Sequence, residues 1–277
     1  MKAESILKKT ISNNNEWCNE PRNNDRSRLD KSIKKALSSR EPTACAVASV
    51  DFSGYANWHA AHGTNAILKG DEEGWKDIQL SLEYLWLRMQ AASPDAYVVK
   101  NALVLAHFML MDDMDRAGMA ADIQITSIEK AIPPRTLWED NKFGVFALEA
   151  WSILSQDERA HKAVAASPFD AGIYQDVLNH GLDSPEKVDA MLDYHLQQAW
   201  TQKGYPAFVY HFYNLFPIDY LLTKKLHPDC ADSSHPLLSL PLAVIPKVYD
   251  LHSLDLHPEY ERFVSRLSEI KNEKSGT

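Results

Sequence analysis

Glycine, cysteine and long apolar runs are all scarce in this 277-residue chain. Only 10 glycines are present, too few for a many-turned β-sandwich or a dinucleotide-binding fold. The cysteines, Cys18, Cys45 and Cys230, are three in number, and an odd count argues against a disulfide framework. No apolar stretch reaches the ~20 residues that span a bilayer, and the N-terminal residues lack the apolar core of a signal peptide. We therefore expect a cytoplasmic protein with reduced cysteines and no membrane contact.

The common sequence signatures of catalysis are also missing. The chain has no G-x-S-x-G nucleophile elbow, no H-E-x-x-H zinc motif, no C-x-x-C pair and no glycine-rich phosphate loop. For this reason the leading interpretation is a protein that acts by binding. It predicts no catalytic residues, no metal ion and no cofactor.

Charge is distributed unevenly along the chain, whose formal net charge is −9. Residues 1–40 contain 10 basic and 5 acidic side chains, whereas residues 71–193 contain 10 basic and 22 acidic ones. The first segment is therefore +5 and the second is −12. An acidic balance argues against non-specific binding to nucleic acid, and an acidic face favours docking of a basic partner.

Helix signals recur along the chain, and no run of β-branched residues alternates with polar ones for long. Asp71, Ser93 and Ser184 are predicted helix caps, the last two followed by proline, and Ser167-Pro168 repeats the pattern. Gly181 is predicted to end a helix near His180. The sequence therefore predicts an all-α fold of about ten helices in stacked antiparallel pairs.

Two segments depart from this pattern. Residues 12–30 are rich in Asn, Asp and Arg, which predicts a loop or loosely packed arm between two short basic helices. We accordingly divide the chain into a basic N-terminal arm, residues 1–40, and a single all-helical domain, residues 41–277. Three prolines between residues 235 and 252 predict a buried apolar turn followed by a short helix.

An aspartate cluster, Asp112, Asp113 and Asp115, sits at the end of an apolar helix. Such clusters bind magnesium in isoprenoid synthases, which are all-α enzymes. The spacing here is DDxD instead of DDxxD, and a second acidic motif near Asp250 and Ser253 has His257 where a glutamate is expected. A magnesium-dependent enzyme of this type is the main alternative function. It requires these aspartates to face a deep apolar cavity.

Two histidine-containing pairs and one aromatic cluster are weaker candidates. His59 and His62 lie three residues apart, as do Glu158 and His161, but each pair lacks the further ligands that zinc or a di-iron centre requires. Residues 205–213 are unusually aromatic, which indicates a helix buried on most sides or a groove-lining segment.

The chain as a whole resembles the immunity 49 family of bacterial polymorphic-toxin systems over roughly residues 40–265. The resemblance rests on the alanine-rich residues 44–48, the aromatic helices at 75–89 and 97–111, the helix with His195 and Trp200, and the closing stretch at 240–260. It implies an all-helical protein that neutralises a cognate toxin by binding it, and it transfers no catalytic residues.

The resemblance implies a non-enzymatic immunity protein that neutralises a toxin acting in the cytoplasm. The acidic charge and the missing catalytic motifs are compatible with this function and favour a toxin with a basic surface. A helical scaffold or regulator is a further alternative. Charge density selects the candidate partner-binding residues, and the last three share one helix face. They are Asp112, Asp113, Asp115, Asp183, Glu186, Asp189 and Asp193.

Overall fold

The structure, a computed structural model, describes residues 3–19, 26–39, 41–92, 98–130, 142–166, 171–197 and 211–275. Within these ranges the chain forms thirteen α-helices, two short 3-10 helices and no strand, which confirms the all-α prediction. The α-helices are α1 (Ala3–Cys18), α2 (Arg26–Ser38), α3 (Pro42–Leu68), α4 (Gly74–Ala91), α5 (Val98–Leu110), α6 (Met114–Lys130), α7 (Lys142–Ser155), α8 (Glu158–Ala166), α9 (Ile173–His180), α10 (Pro185–Gln197), α11 (His211–Asn214), α12 (Ile218–Leu226) and α13 (Tyr260–Ser275).

The closest helix pair is α3 with α4, and two glycines permit their approach. A Cβ atom on Gly63 would lie 2.5 Å from the carbonyl oxygen of Gly74, so only glycine fits at this crossing. Beyond the crossing, α4 is buried on nearly every side from Gln79 to Met89. This pair therefore forms the centre against which other helices pack.

Short turns join further helices into stacked pairs, as the sequence predicts. The turn at residues 111–113 joins α5 to α6, and residues 156–157 join α7 to α8. Helices α5 and α7 also pack against each other and against α12, and their apolar side chains form much of the core.

The N-terminal segment is better packed than the sequence suggests. Helix α1 continues to Cys18 and α2 begins at Arg26, so most of the expected loop at residues 12–30 is helical. Leu29 and Ile33 of α2 are almost fully buried, and Asn14 of α1 donates a hydrogen bond to the carbonyl oxygen of Ala61 on α3 at 3.3 Å. The prediction of a loosely packed arm is wrong for these residues, because an amphipathic basic helix can still bury its apolar stripe.

The predicted helix boundaries hold where the signal is local. Helix α10 begins at Pro185 with the Ser184 hydroxyl accepting from the Lys187 amide, and Gly181 ends α9 with a positive φ of 71°. Helix α4 begins at Gly74, two residues later than a cap at Asp71 predicts, because Asp71 caps a preceding turn through the Glu73 amide. The expected caps at Ser93 and Ser167 lie outside the described residues.

The proline-rich stretch before α13 forms two 3-10 helices, Pro236–Ser239 and Leu251–Ser253. Leu237 and Leu242 are fully buried in this stretch, as expected of an apolar turn. Between the 3-10 helices the chain is held to α4 by Gln79, whose amide bonds both the N–H and the C=O of Tyr249.

Candidate partner-binding surface

The aspartates at residues 112–115 build the turn between α5 and α6. Asp112 has a φ of +59°, and its amide donates to the carbonyl of Met109 while the Asp113 amide donates to that of Phe108. This is a Schellman-type helix end. Asp113 then caps α6, since its carboxylate accepts from the Arg116 amide at 3.1 Å and from its guanidinium at 2.5 Å.

These aspartates do not meet the requirement of a magnesium site. Asp112 is 80% exposed and pairs with Lys225 of α12 at 2.5 Å. Asp113 is occupied by Arg116, and Asp115 is exposed. In the described part of the chain no group of three or more acidic, histidine or cysteine side chains is arranged to hold a metal ion. The cluster therefore ends one helix and starts the next, and the magnesium-enzyme alternative loses its geometric basis.

The acidic face of α10 lies against a later segment of the chain. Asp189 accepts a hydrogen bond from the Ser233 hydroxyl at 2.5 Å, and Asp193 contacts Nε2 of His235 at 3.3 Å. Glu186, one turn earlier, is exposed. Because Asp189 and Asp193 both contact residues 233–235, they share a face of α10, as their spacing predicts.

The segment at residues 227–235 is anchored to the turn between α9 and α10. The Ala231 amide donates to the carbonyl of Leu182 at 2.6 Å, and Nε2 of His227 donates to the carbonyl of Leu178 at 3.1 Å. This anchoring places the exposed Asp229 and Asp232 beside α10. Sequence reasoning missed both residues, because they lie about forty positions after the helix they adjoin.

Lysine side chains neutralise a minority of these carboxylates. Lys187 bridges Asp176 of α9 and Asp183, each at 3.1 Å. Hydrogen bonds from Lys187 and then His180 lower the pKa of Asp176, so it stays ionised at neutral pH. The exposed Asp112 pairs with Lys225 near the end of α12. Lys225 lies two residues before the 227–235 segment begins.

We use the term acidic surface for the carboxylates that α9, α10 and the 227–235 segment bring together. It comprises Asp176, Asp183, Glu186, Asp189, Asp193, Asp229 and Asp232. Four of the seven predicted partner-binding residues belong to it, and Asp112 adjoins it. Asp113 lies in the α5–α6 turn and Asp115 in the first turn of α6, and within the described residues no hydrogen bond or ion pair connects either to the acidic surface.

The histidines of the two pairs contact carboxylates of neighbouring helices instead of forming a metal site. Nδ1 of His59 and Nδ1 of His62 donate to the two oxygens of Asp77, at 2.6 and 2.8 Å. Burial opposes the charged form of Asp77, but these two hydrogen bonds hold its pKa below the usual value. His161 approaches Glu149 at 3.3 Å. In the aromatic cluster, residues 205–210 lie outside the described ranges, while Phe212 and Tyr213 are buried.

One buried trio has the composition of a catalytic site but not its accessibility. Nδ1 of His195 lies 2.8 Å from one carboxylate oxygen of Asp219, and the hydroxyl of Tyr174 donates to the other at 2.8 Å. Burial, then the charge of Asp219, raises the pKa of Tyr174 well above its usual value, so its hydroxyl remains a donor. All three side chains are fully buried, and the trio joins α9, α10 and α12.

Comparison with known proteins finds no match for this chain among family models, curated proteins or solved structures. Within the described ranges, no helix combines the length and the apolarity needed to cross a lipid bilayer. The resemblance to the immunity 49 family therefore remains a prediction from the sequence.

Proposed function

We propose that this chain is a non-enzymatic immunity protein that binds and neutralises a bacterial toxin with a basic surface, and that it does so in the cytoplasm. The observation that carries the proposal is the acidic surface, in which α10 and the segments next to it carry seven carboxylates and one lysine. The sequence resemblance to the immunity 49 family supports the same function independently.

The acidic surface has the electrostatic character of a docking site for a cation-rich protein. Glu186, Asp229 and Asp232 are exposed and make no ion pair within the described residues. Unpaired carboxylates on neighbouring segments give a negative potential that attracts a basic partner and speeds association. Toxins that act on nucleic acid or nucleotides carry basic active sites, so a negative face is suited to blocking one.

The rigidity of this surface also supports a binding role. One hydrogen bond fixes the 227–235 segment to α9 and another fixes it to the α9–α10 turn, while Asp189 and Asp193 fix its far end to α10. Because the backbone that carries Asp229 and Asp232 is held before the partner arrives, less conformational entropy is lost on binding.

Binding to the toxin encoded by the neighbouring gene tests the proposal directly. Purified toxin is immobilised and the association rate is measured at low and physiological salt. We expect submicromolar affinity and an association rate that falls markedly as salt rises, since the Debye length shortens to about 8 Å at 0.15 M. Failure of every neighbouring toxin to bind below micromolar concentration would overturn the proposal.

A matched pair of triple variants locates the interface. The test variant carries Glu186→Gln, Asp229→Asn and Asp232→Asn, and the control carries Glu4→Gln, Glu41→Gln and Glu261→Gln at exposed positions elsewhere. Both change the net charge by +3. We expect the test variant to associate about tenfold more slowly and the control to retain most of the wild-type rate. Equal effects would show that only net charge matters and would exclude this face as the interface.

A further inference from the structure

Helix α3 is unusual because it has no polar face. Among its 27 residues the only Asp, Glu, Lys or Arg is Asp51. A helix that is apolar or neutral all round is normally buried on all sides, whereas a surface helix carries charged residues toward water. α3 packs against α1, α2, α4 and α11, yet it leaves one narrow stripe uncovered, with exposed positions at Val47, Val50 and Gly54.

The outward side of α3 displays apolar residues to solvent. Val47 is 58% exposed and Val50 is 59% exposed, Gly54 is exposed and Trp58 is half-buried. These four residues follow an i, i+3, i+7, i+11 spacing, so they lie along one face. We call them the α3 stripe.

Gly54 stands in the middle of the α3 stripe without a packing reason inside the chain. A Cβ atom at this position would meet nothing within 4 Å, in contrast to Gly63 on the same helix. Glycine is a poor helix former, so its presence on an open helix face favours close approach by another backbone.

Charge around the α3 stripe differs from that of the rest of the molecule. Asp51 is neutralised by Arg28 of α2 at 2.6 Å and accepts a hydrogen bond from Ser32. Helix α2 adds the exposed Lys31, Lys34 and Lys35 beside it. This face is therefore neutral with a basic border, although the whole chain is −9.

We propose that the α3 stripe is the interface of a homodimer in which two α3 helices cross antiparallel at Gly54. The spacing is self-complementary, since Val50 precedes Gly54 by four residues and Trp58 follows it by four. A twofold axis at Gly54 therefore places Val50 of each copy at the height of Trp58 of the other, about 6 Å from the crossing point. The glycines let the two backbones approach closely.

Electrostatics favour the α3 stripe over any acidic face as the contact surface between two copies of the chain. Two chains of net charge −9 repel each other, and this repulsion is smallest where the contact surfaces carry no free carboxylate. The exposed lysines of α2, the helix that pairs with Asp51, add positive charge on this side of the molecule and reduce the repulsion further. The acidic surface on α9, α10 and residues 227–235 belongs to other elements, so dimerisation is a property separate from toxin binding.

Sedimentation equilibrium of the full chain tests the dimer. The test variant is Val50→Glu, and the matched controls are Ile153→Glu and Met119→Glu, at positions 48% and 47% exposed on other helices. We expect a wild-type dimer at roughly 100 μM that Val50→Glu weakens by at least tenfold, because it buries two unpaired charges in the interface, one on each side of the axis, while both controls remain dimeric. A monomeric wild type, or dimerisation of Val50→Glu as strong as that of the controls, would overturn the proposal.

Cross-linking tests the antiparallel geometry. A chain that carries Val50→Cys is mixed with a second chain that carries Trp58→Cys under mild oxidation. Wild type treated in the same way measures the background linkage through Cys18, Cys45 and Cys230. We expect the mixture to form a Val50→Cys to Trp58→Cys disulfide and each variant alone to form little, because like positions lie about 12 Å apart in the antiparallel dimer. Efficient linkage of Val50→Cys to itself would indicate a parallel dimer and contradict the geometry.

Discussion

Glu83 of α4 and Arg116 of α6 form an ion pair in which the carboxylate is completely buried. Nη1 of Arg116 donates to one oxygen of Glu83 at 2.7 Å, and the hydroxyl of Tyr260 donates to the other at 2.9 Å. Burial, with the charge of Glu83 beside it, raises the pKa of Tyr260, so the hydroxyl stays protonated and remains a donor. One carboxylate thus joins α4, α6 and α13.

Arg116→Met is expected to destabilise the fold by about 3–5 kcal/mol, because it leaves the buried charge of Glu83 without its cation. Urea unfolding followed by circular dichroism measures this loss. The control is Arg159→Met, which removes an exposed pair with Asp122 and Glu129 and should cost no more than about 1 kcal/mol. Similar losses from both variants would contradict the central role of the Glu83 contact.

Asp112→Gly and Asp113→Ala are expected to act in opposite directions. Glycine relieves the positive φ of Asp112, so that variant should match or exceed wild-type stability despite losing the contact with Lys225. Alanine at position 113 removes the cap of α6 and the bond to Arg116, which should cost about 1–2 kcal/mol. Thermal unfolding of both variants measures these changes.

Adding magnesium tests whether Asp112 and Asp113 serve to end one helix and cap the next, or bind a metal ion. We expect the melting temperature of the wild type to change no more than that of Asp112→Gly when magnesium is added. A wild-type-specific rise in melting temperature would restore the metal-site interpretation, since a ligand that binds only the native state stabilises it.

The sequence predicts best what is locally determined. The start of α10 at Pro185 and the end of α9 at Gly181 follow from caps and backbone conformation within a few residues. The structural role of Asp112 is not evident from the sequence, because its charge is visible there and its left-handed backbone is not. The pairing of Asp189 with Ser233 was not predictable, because the 44 residues between them give no local signal of their contact.

The same limit applies to the buried polar contacts. Asp219 lies 24 residues after His195 and 45 after Tyr174, so only the tertiary fold brings these three together. The basic composition of α2 predicted weak packing, but its apolar stripe, including Leu29 and Ile33, decides where it lies. Composition measures average solubility, whereas packing depends on the few residues that face the core.

Alanine substitutions at two glycines of α3 are expected to change the stability of the fold in opposite directions. Gly63→Ala places a Cβ atom 2.5 Å from the backbone of Gly74, which must separate α3 from α4, so we expect a loss of about 3 kcal/mol or more. Gly54→Ala has open space and should gain up to about 1 kcal/mol from higher helix propensity. Chemical unfolding below the concentration of any self-association measures both, and equal effects would contradict the α3–α4 crossing.

His107 is expected to make the fold sensitive to mild acid. Its ring lies between α5 and the segment before α12, where it stacks on Phe216 and lines a cavity of about 20 Å³, room for one water molecule. Nδ1 donates to the carbonyl of Leu103 at 2.8 Å. Burial lowers the pKa of His107 to about 4, from an ordinary value near 6.5.

Because the folded pKa is the lower one, the unfolded chain binds a proton first as the pH falls. Stability from His107 is therefore complete above about pH 6.5 and declines between about pH 6.5 and 4, by up to about 3 kcal/mol. His107→Leu should remove this contribution, so unfolding free energies measured across that window should decline less steeply than in the wild type. His252→Gln, at an exposed position, should keep the wild-type slope. A slope unchanged in His107→Leu would show that other groups cause the acid sensitivity.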